Sequence, residues 1–142
     1  MNLGQIATKG AVTASPATPL LEVARLMLEG NVGAVVITKS PLERPVVVGI
    51  VTDRDIVRTQ FHRAVPLSSL HAEDAMTRDP LVLNEDQSIG HAIGSLQARG
   101  VRRAPVVNAS GMLSGLISSD DLLARVSDEL TGLSKLVSPQ AR

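Results

Sequence analysis

The chain has 142 residues, of which 44% are hydrophobic and 20% are charged, a balance typical of a folded globular protein. Its 14 acidic and 14 basic side chains cancel, so no net charge favours nucleic acid or an anionic membrane. The absence of cysteine excludes disulfides and thiolate chemistry, and a single Phe excludes an aromatic platform for single-stranded nucleic acid. The sequence shows neither an apolar run of 18 residues nor a signal-peptide pattern, so we expect a cytoplasmic protein that does not enter a membrane.

The first half of the chain predicts a strand, a helix, two strands and a second helix. In chain order, the predicted segments are a lead-in turn or helix at 2–9, a strand at 11–14, a helix from 18 to about 30, strands at 32–37 and 46–51 around a polar loop at 38–45, and a helix from 53 to about 64. Thr18 is the expected N-cap of the first helix, with Pro19 at its first position. Ile56, Val57 and Phe61 are expected on the inner face of the second helix.

The second half repeats the first. A shift of 69 residues superimposes the early elements, and beyond the predicted loop the shift becomes 66, because that loop is three residues longer in the first half. The prediction is an α/β fold of two β-α-β-β-α repeats, related by a pseudo-twofold axis with their sheets facing each other. The expected divisions are 1–66 for the first repeat with its lead-in, 67–127 for the second, and 128–142 for a C-terminal helix extension and tail.

One motif, Gly followed by two apolar residues, a hydroxyl residue, two variable residues and Asp, occurs at 49–55 and 115–121. It places Thr52 and Ser118 at strand-to-helix junctions, where backbone N–H groups and the helix dipole attract anions. A hydroxyl there can donate to phosphate, and Asp55 and Asp121 can accept from a ribose diol. The same spacing also fits a helix capping box, and the two roles are compatible.

Taken together, these residues resemble the tandem cystathionine β-synthase (CBS) domain pair, or Bateman module, from about Gln5 to Ala124. The resemblance rests on the segments 74–77 (Asp-Ala-Met-Thr) and 101–107 (Val-Arg-Arg-Ala-Pro-Val-Val) and on the duplicated motif. It implies a non-catalytic regulatory module that binds adenosine nucleotides, AMP or ATP above all, in clefts between the repeats. S-adenosylmethionine and NAD are alternative ligands. No cofactor or metal is expected, and the implied partners are a second copy of the chain and a separate regulated protein.

Carried over residue by residue, the resemblance implies that Asp55 and Asp121 hold ribose hydroxyls and that Thr52 and Ser118 contact phosphate or ribose. It also implies that the base is framed by Thr13, Ala14, Val82 and Leu83. Arg102 and Arg103 match a basic pair that contacts phosphate in the family. The first repeat has Gly33 and Ala34 at the positions of this basic pair. Because adjacent strand residues face opposite sides, we expect only one of the two arginines to enter a given cleft.

Two other function classes compete with a nucleotide sensor. The first is a structural dimerisation module that has lost one or both ligand clefts: the retention of both Thr/Ser-x-x-Asp pairs argues against it, whereas the missing basic pair of the first repeat argues for partial loss. A nucleotide-processing enzyme is disfavoured, because no nucleophile, catalytic dyad or Walker loop is evident. We expect a homodimer, since the last helix carries Leu122, Val126, Leu130 and Leu133 at helical spacing. If Arg102 and Arg103 serve their own repeat, the tighter nucleotide cleft is the one at Ser118 and Asp121.

Overall fold

The computed structural model describes residues 1–40 and 43–137 and confirms an α/β fold of two repeats. The helices are α1 (Leu3–Ile6), α2 (Leu20–Gly30), α3 (Asp53–Arg63), α4 (Ala72–Ala75), α5 (Ile89–Arg99) and α6 (Ser119–Leu136). The strands are β1 (Thr13–Ala14), β2 (Ala34–Lys39), β3 (Val46–Thr52), β4 (Thr77–Arg78), β5 (Leu83–Asn84), β6 (Arg103–Val107) and β7 (Leu113–Ser118). Part of the predicted polar loop, 41–42, and the tail at 138–142 lie outside the described residues.

The strands form two sheets with the same internal arrangement. The first has the order β1-β2-β3-β4 and the second the order β5-β6-β7. In each sheet the first strand runs parallel to the second, which is antiparallel to the third. Ala14 lies opposite Ile37 and Leu83 lies opposite Val106, which is the same register after a shift of 69 residues. The duplication that the sequence predicts is therefore confirmed at the level of strand pairing.

Each sheet buries both of its faces. On β2, Val35 and Ile37 pack into the apolar core beneath the helices of the first repeat. Val36 points to the opposite side of the strand because side chains alternate, yet it is also fully buried. Its counterpart Pro105 on β6 is fully buried as well, whereas Val106 belongs to the core of the second repeat. The sheets thus cover each other on one face and are covered by helices on the other.

The two repeats exchange their lead-in segments. Leu3 and Ala7, at the start of the chain, pack in the core of the second repeat. Leu70 and Ala72, between the halves, pack in the core of the first repeat, and β4 continues the first sheet beyond β3. Thr8 makes the corresponding antiparallel bridge to β7. The lead-in of each repeat is therefore structurally part of the other, and neither half closes its core alone.

This exchange explains why both copies of the motif begin with glycine. A Cβ on Gly115 would lie 2.8 Å from the carbonyl oxygen of Thr8, and one on Gly49 would lie 2.6 Å from the sulfur of Met76 and 3.1 Å from the carbonyl oxygen of Thr77. The 2.8 Å separation at Gly115 and the 2.6 Å separation at Gly49 are shorter than van der Waals contact permits. The absence of a side chain at these two positions lets the exchanged segments approach β3 and β7.

Two local predictions are wrong. The N-cap of α2 is Pro19 and has no side-chain cap, because the Thr18 hydroxyl accepts from the backbone N–H of Ser15 instead. On α3, Val57 is 69% exposed and Phe61 is 80% exposed, although both were expected to face inward. The apolar surface of α3 is therefore wider than the chain's own core requires. Across 1–40 and 43–137, none of the helices combines the length and the apolar character needed to span a membrane.

Candidate functional site

The motif forms the same reciprocal cap at α3 and at α6. The backbone N–H of Asp55 donates to the Thr52 hydroxyl at 3.2 Å, and the N–H of Thr52 donates to Asp55 Oδ2 at 2.9 Å. The N–H of Asp121 donates to the Ser118 hydroxyl at 3.1 Å, and the N–H of Ser118 donates to Asp121 Oδ2 at 3.0 Å. Each hydroxyl acts here only as an acceptor, so its own hydrogen is free to donate to a ligand.

The two carboxylates differ in what surrounds their second oxygen. Asp55 is 9% exposed, and its Oδ1 lies 3.5 Å from Nη1 of Arg58, one turn further along α3. Asp121 has Ala124 at the position of Arg58, and the next guanidinium along α6 belongs to Arg125. A ribose diol could bind the Oδ1 atom of either carboxylate while Oδ2 continues to cap the helix. At Asp55 this contact would form beside a cation.

The first amides of α3 already have acceptors. The N–H of Asp53 donates to the carbonyl of Gly33 at 3.1 Å, and the N–H of Arg54 donates to Asp53 Oδ1 at 2.8 Å. With Asp55 bound to Thr52, the helix start is internally satisfied. The expectation that free amides at this junction attract an anion is therefore wrong for α3. A phosphate bound here needs cationic side chains.

A cavity of about 520 Å³ opens beside Thr52, within the size range of small-molecule sites. We call it the Thr52 cleft. It is lined by Ile50, residues 52–55, Arg58, Thr77, Pro80, Leu81, residues 99–103 and Pro105. The first sheet and α3 supply one wall, and the segment before β6 supplies the other. The cleft is thus a junction between the repeats.

Arg102 and Arg103 line this cleft opposite Thr52, although their backbone lies next to Ser118: Arg103 pairs with Ser118 across β6 and β7, and the carbonyl of Arg102 accepts from the N–H of Ser119. Nη1 of Arg103 donates to the carbonyl of Gly33 at 2.9 Å, which carries the guanidinium across to the first repeat. The basic pair therefore lies where it can serve the first repeat, while Arg102 also borders the groove between α5 and α6 together with Ser119. Both arginines can border one cleft because β6 begins only at Arg103, so strand alternation does not apply to Arg102.

The Thr52 cleft is strongly cationic. Five arginines, at positions 54, 58, 99, 102 and 103, face two aspartates, which gives a net charge of +3. The repeat places Asp120, Ala124, Gly30, Gly33 and Ala34 at the equivalents of those five arginines. Together with Asp121, the positions around Ser118 that are equivalent to those of the Thr52 cleft thus contain two acidic residues and no arginine. We refer to this second location as the Ser118 junction.

The residues predicted to frame a base are placed differently. Leu83 is 1% exposed and packs in the core of the second repeat, so its side chain cannot offer a surface to a ligand. Val82 is not among the residues that line the Thr52 cleft, whereas the preceding Pro80 and Leu81 are. Thr13 and Ala14 lie on β1, at the far edge of the first sheet from β4, and Ala14 packs against the core.

Sequence reasoning missed three cleft arginines, at positions 54, 58 and 99. The signal was present in the repeat: each has a non-basic counterpart in the other half, as Arg102 and Arg103 do. Arg99 is held at the end of α5, where its Nη2 donates to the carbonyl of Asp79 at 2.8 Å. Within residues 1–40 and 43–137, no group of three His, Cys, Asp or Glu side chains could hold a metal ion.

Exchanged lead-ins, duplicated caps and a cleft between the halves define a module built from two paired repeats. The sequence model of the CBS domain matches residues 3–62 and 72–128. The chain therefore belongs to the CBS domain family and contains a pair of such domains.

Similar proteins agree with this assignment. An uncharacterised protein of Methanopyrus kandleri is 29% identical over 87% of the chain, which spans 61% of that relative. An uncharacterised 17.7 kDa protein of Acidianus ambivalens is 32% identical over 89% of the chain, which spans 73% of it. The solved CBS domain pair of protein MJ0100, in complex with 5′-methylthioadenosine and S-adenosyl-L-methionine, superimposes with a TM-score of 0.78 at 21% identity, covering 91% of this chain and 98% of that one.

Proposed function

We propose that this CBS pair is a non-catalytic, cytoplasmic regulatory module that binds an adenosine nucleotide in the Thr52 cleft. The observation that carries the proposal is the cluster of five arginines in a cavity of about 520 Å³. Guanidinium groups recognise phosphate with paired, charge-assisted hydrogen bonds. Asp55 Oδ1 would accept from a ribose hydroxyl, and the Thr52 hydroxyl would donate to the ribose or to the proximal phosphate.

The adenosyl part of the proposal has separate support. The related pair of protein MJ0100 was solved with two adenosyl compounds, which makes this ligand class the natural first test. Those compounds lack phosphate, however, while the Thr52 cleft has a net charge of +3. Phosphate should therefore separate this chain's ligand from theirs. AMP, ADP and ATP are the preferred candidates, and S-adenosylmethionine, 5′-methylthioadenosine and NAD are the alternatives.

The ligand signal would pass through a homodimer to a separate protein. Leu123, Leu130 and Leu133 on α6 are each at least 60% exposed, as are Val57 and Phe61 on α3. An apolar surface of this kind on two helices favours association with another chain. Helix α3 would link nucleotide binding to dimer formation, because its first turn borders the Thr52 cleft and its outer face carries part of this apolar surface.

Calorimetry with adenosine, AMP, ADP and ATP tests the nucleotide proposal, with Arg102→Gln as the variant and Arg44→Gln as its matched control. Arg102 is exposed, so its loss should spare the fold, and Arg44 precedes β3 at the end opposite Thr52. We expect the phosphorylated compounds to bind more tightly than adenosine. Arg102→Gln should weaken them by about 1.5–3 kcal/mol, roughly ten-fold to a hundred-fold, the scale of a hydrogen bond to a charged group.

Two results would overturn the proposal. If adenosine binds as tightly as AMP and Arg102→Gln has no more effect than Arg44→Gln, the arginines do not read phosphate. If none of the adenosyl compounds binds, the structural dimerisation module becomes the better account.

A further inference from the structure

Gly33, the residue before β2, is a point where the second repeat contacts the first beside the Thr52 cleft. Its carbonyl oxygen accepts two hydrogen bonds, from the N–H of Asp53 at 3.1 Å and from Nη1 of Arg103 at 2.9 Å. The first bond fixes the start of α3, and the second brings a guanidinium of the other repeat to the same atom. One carbonyl oxygen therefore connects the first turn of α3 with the start of β6.

The absence of a side chain at Gly33 makes room for this guanidinium. A Cβ at position 33 would lie 3.1 Å from Nη1 and 3.7 Å from Nη2 of Arg103, and 3.6 Å from Oδ2 of Asp53. At 3.1 Å even a methyl group would displace the guanidinium by a few tenths of an ångström. The φ angle of Gly33 lies outside the left-handed region, so the backbone does not itself require glycine. We call the space beside the Gly33 Cα, filled by the guanidinium, the Gly33 notch.

A guanidinium held in the Gly33 notch can still bind a phosphate. It has five N–H donors, and the bond to the Gly33 carbonyl uses one of them. Arg103 is half-buried and lines the Thr52 cleft, so its remaining donors are presented from a fixed position. The side chains of Arg54, Arg58 and Arg102 in the same cleft are exposed. A side chain that is already held loses less conformational freedom when it binds a ligand.

The Gly33 notch has no equivalent at the Ser118 junction. The carbonyl of Arg102 accepts from the N–H of Ser119 as the carbonyl of Gly33 accepts from Asp53, so the backbone acceptor is duplicated. The shift of 69 places Ala34 at the position of Arg103, and the methyl group of Ala34 has no donor. The same shift places Arg102, with its side chain, at the position of Gly33. The arginine and the space that receives it are therefore features of the Thr52 cleft.

We propose that Gly33 is a positioning residue that gives the Thr52 cleft its specificity for phosphate. It acts by receiving the guanidinium of Arg103, which then bridges the Gly33 carbonyl and a phosphate oxygen of the ligand. This deepens the proposed function and rests on it. Since the bridge ends on phosphate, a side chain in the Gly33 notch should weaken phosphorylated ligands and spare adenosine.

Calorimetry with AMP and adenosine tests this inference on Gly33→Ala and Gly33→Val. Alanine displaces the guanidinium slightly, whereas the larger valine fills the Gly33 notch. We expect the affinity for AMP to fall about three-fold in Gly33→Ala and about ten-fold in Gly33→Val, within the range of one hydrogen bond to a charged group. The affinity for adenosine should stay at the wild-type value in both variants.

Gly30→Ala is the matched control for the loss of a glycine. Gly30 ends α2, and its Cβ would make ordinary contact with Val12 at 3.5 Å. Gly30 does not line the Thr52 cleft. Gly30→Ala should therefore bind AMP as the wild type does. Urea midpoints of all variants report the fold, and Gly33→Ala keeps the test decisive if valine lowers the midpoint strongly.

Two further variants test whether Gly33 acts through Arg103. Adding Gly33→Val to Arg103→Gln should cause no further loss of AMP affinity, whereas independent effects would add. Arg103→Lys keeps the charge but replaces the planar fork of donors by a single nitrogen, so it should not restore wild-type affinity. Full AMP affinity in Arg103→Lys would show that charge alone suffices and would overturn the inference.

The failure of this inference is distinguishable from the failure of the proposed function. If AMP binds the wild type no more tightly than adenosine, the proposed function fails and the inference fails with it. If the wild type prefers AMP and Gly33→Ala and Gly33→Val prefer it to the same extent, only the inference is overturned. Equal losses of AMP and adenosine affinity in Gly33→Ala would indicate a purely structural role and would overturn it as well.

Discussion

The Thr52 cleft and the Ser118 junction are built by the same duplicated motif but differ in charge. Both have a glycine under an exchanged lead-in, a hydroxyl and carboxylate in a reciprocal cap, and a helix that starts at the end of a strand. The first carries five arginines, and the equivalent positions of the second carry none.

The difference separates the parts of the motif that serve the fold from the surrounding residues that our proposal assigns to a ligand. The cap is present at both sites because each helix needs acceptors for its first amides. The arginines cap neither helix, and four of the five are replaced by an uncharged residue in the other repeat, the fifth by Asp120. A phosphate ligand should therefore distinguish two sites whose backbones are alike.

The largest expected effect concerns the shared scaffold, through Gly115→Ala and Gly49→Ala. At Gly115 the new methyl group would meet the backbone of Thr8, which cannot move without shifting the lead-in. At Gly49 the closest atom is the flexible end of Met76, which can give way. We expect a loss of about 2–3 kcal/mol for Gly115→Ala and about 1 kcal/mol for Gly49→Ala, the scale of overpacking.

Urea unfolding of both variants beside the wild type measures this difference through the midpoint at constant slope. Equal losses of unfolding free energy in the two variants would contradict the account, because the new methyl group at position 115 would then meet no more resistance from its exchanged segment than the one at position 49.

A smaller effect sharpens the comparison at the hydroxyls. Thr52→Ala and Ser118→Ala each remove an N-cap and should each cost about 1 kcal/mol of unfolding free energy. Only Thr52→Ala should also weaken nucleotide binding, by about 0.5–1.5 kcal/mol for one neutral hydrogen bond. Paired urea and calorimetry measurements separate the two roles. If Ser118→Ala alone reduces the affinity, the site has been assigned to the wrong junction.

Much of the fold follows from the sequence because repeats and strand patterns are local signals. The register at Ala14 and Leu83, the helix starting at Asp53 and the two caps were all within reach of spacing arguments. Numbering shifts also identify Gly33 as the equivalent of Arg102. They cannot show which half of the molecule a side chain faces, so the sequence leaves open which cleft the basic pair serves.

Two further placements depend on tertiary packing. Periodicity identifies the apolar residues of α3, but it does not say whether the chain's own core or another surface covers Phe61. Similarly, Leu83 follows Leu81 by one strand period, yet Leu81 borders the cleft and Leu83 fills the core.

The central claim is that phosphate-bearing ligand binds the Thr52 cleft and not the Ser118 junction. Calorimetry of AMP or ATP with Asp55→Asn and Asp121→Asn tests it most directly. Asn keeps an oxygen for the cap, so each variant should lose only tenths of a kcal/mol of stability, roughly the scale of weakened helix-dipole complementarity. The account predicts that Asp55→Asn weakens the tight site by about 1–2 kcal/mol, or ten-fold or more, and that Asp121→Asn leaves it unchanged. A tight site lost in Asp121→Asn and intact in Asp55→Asn would contradict it.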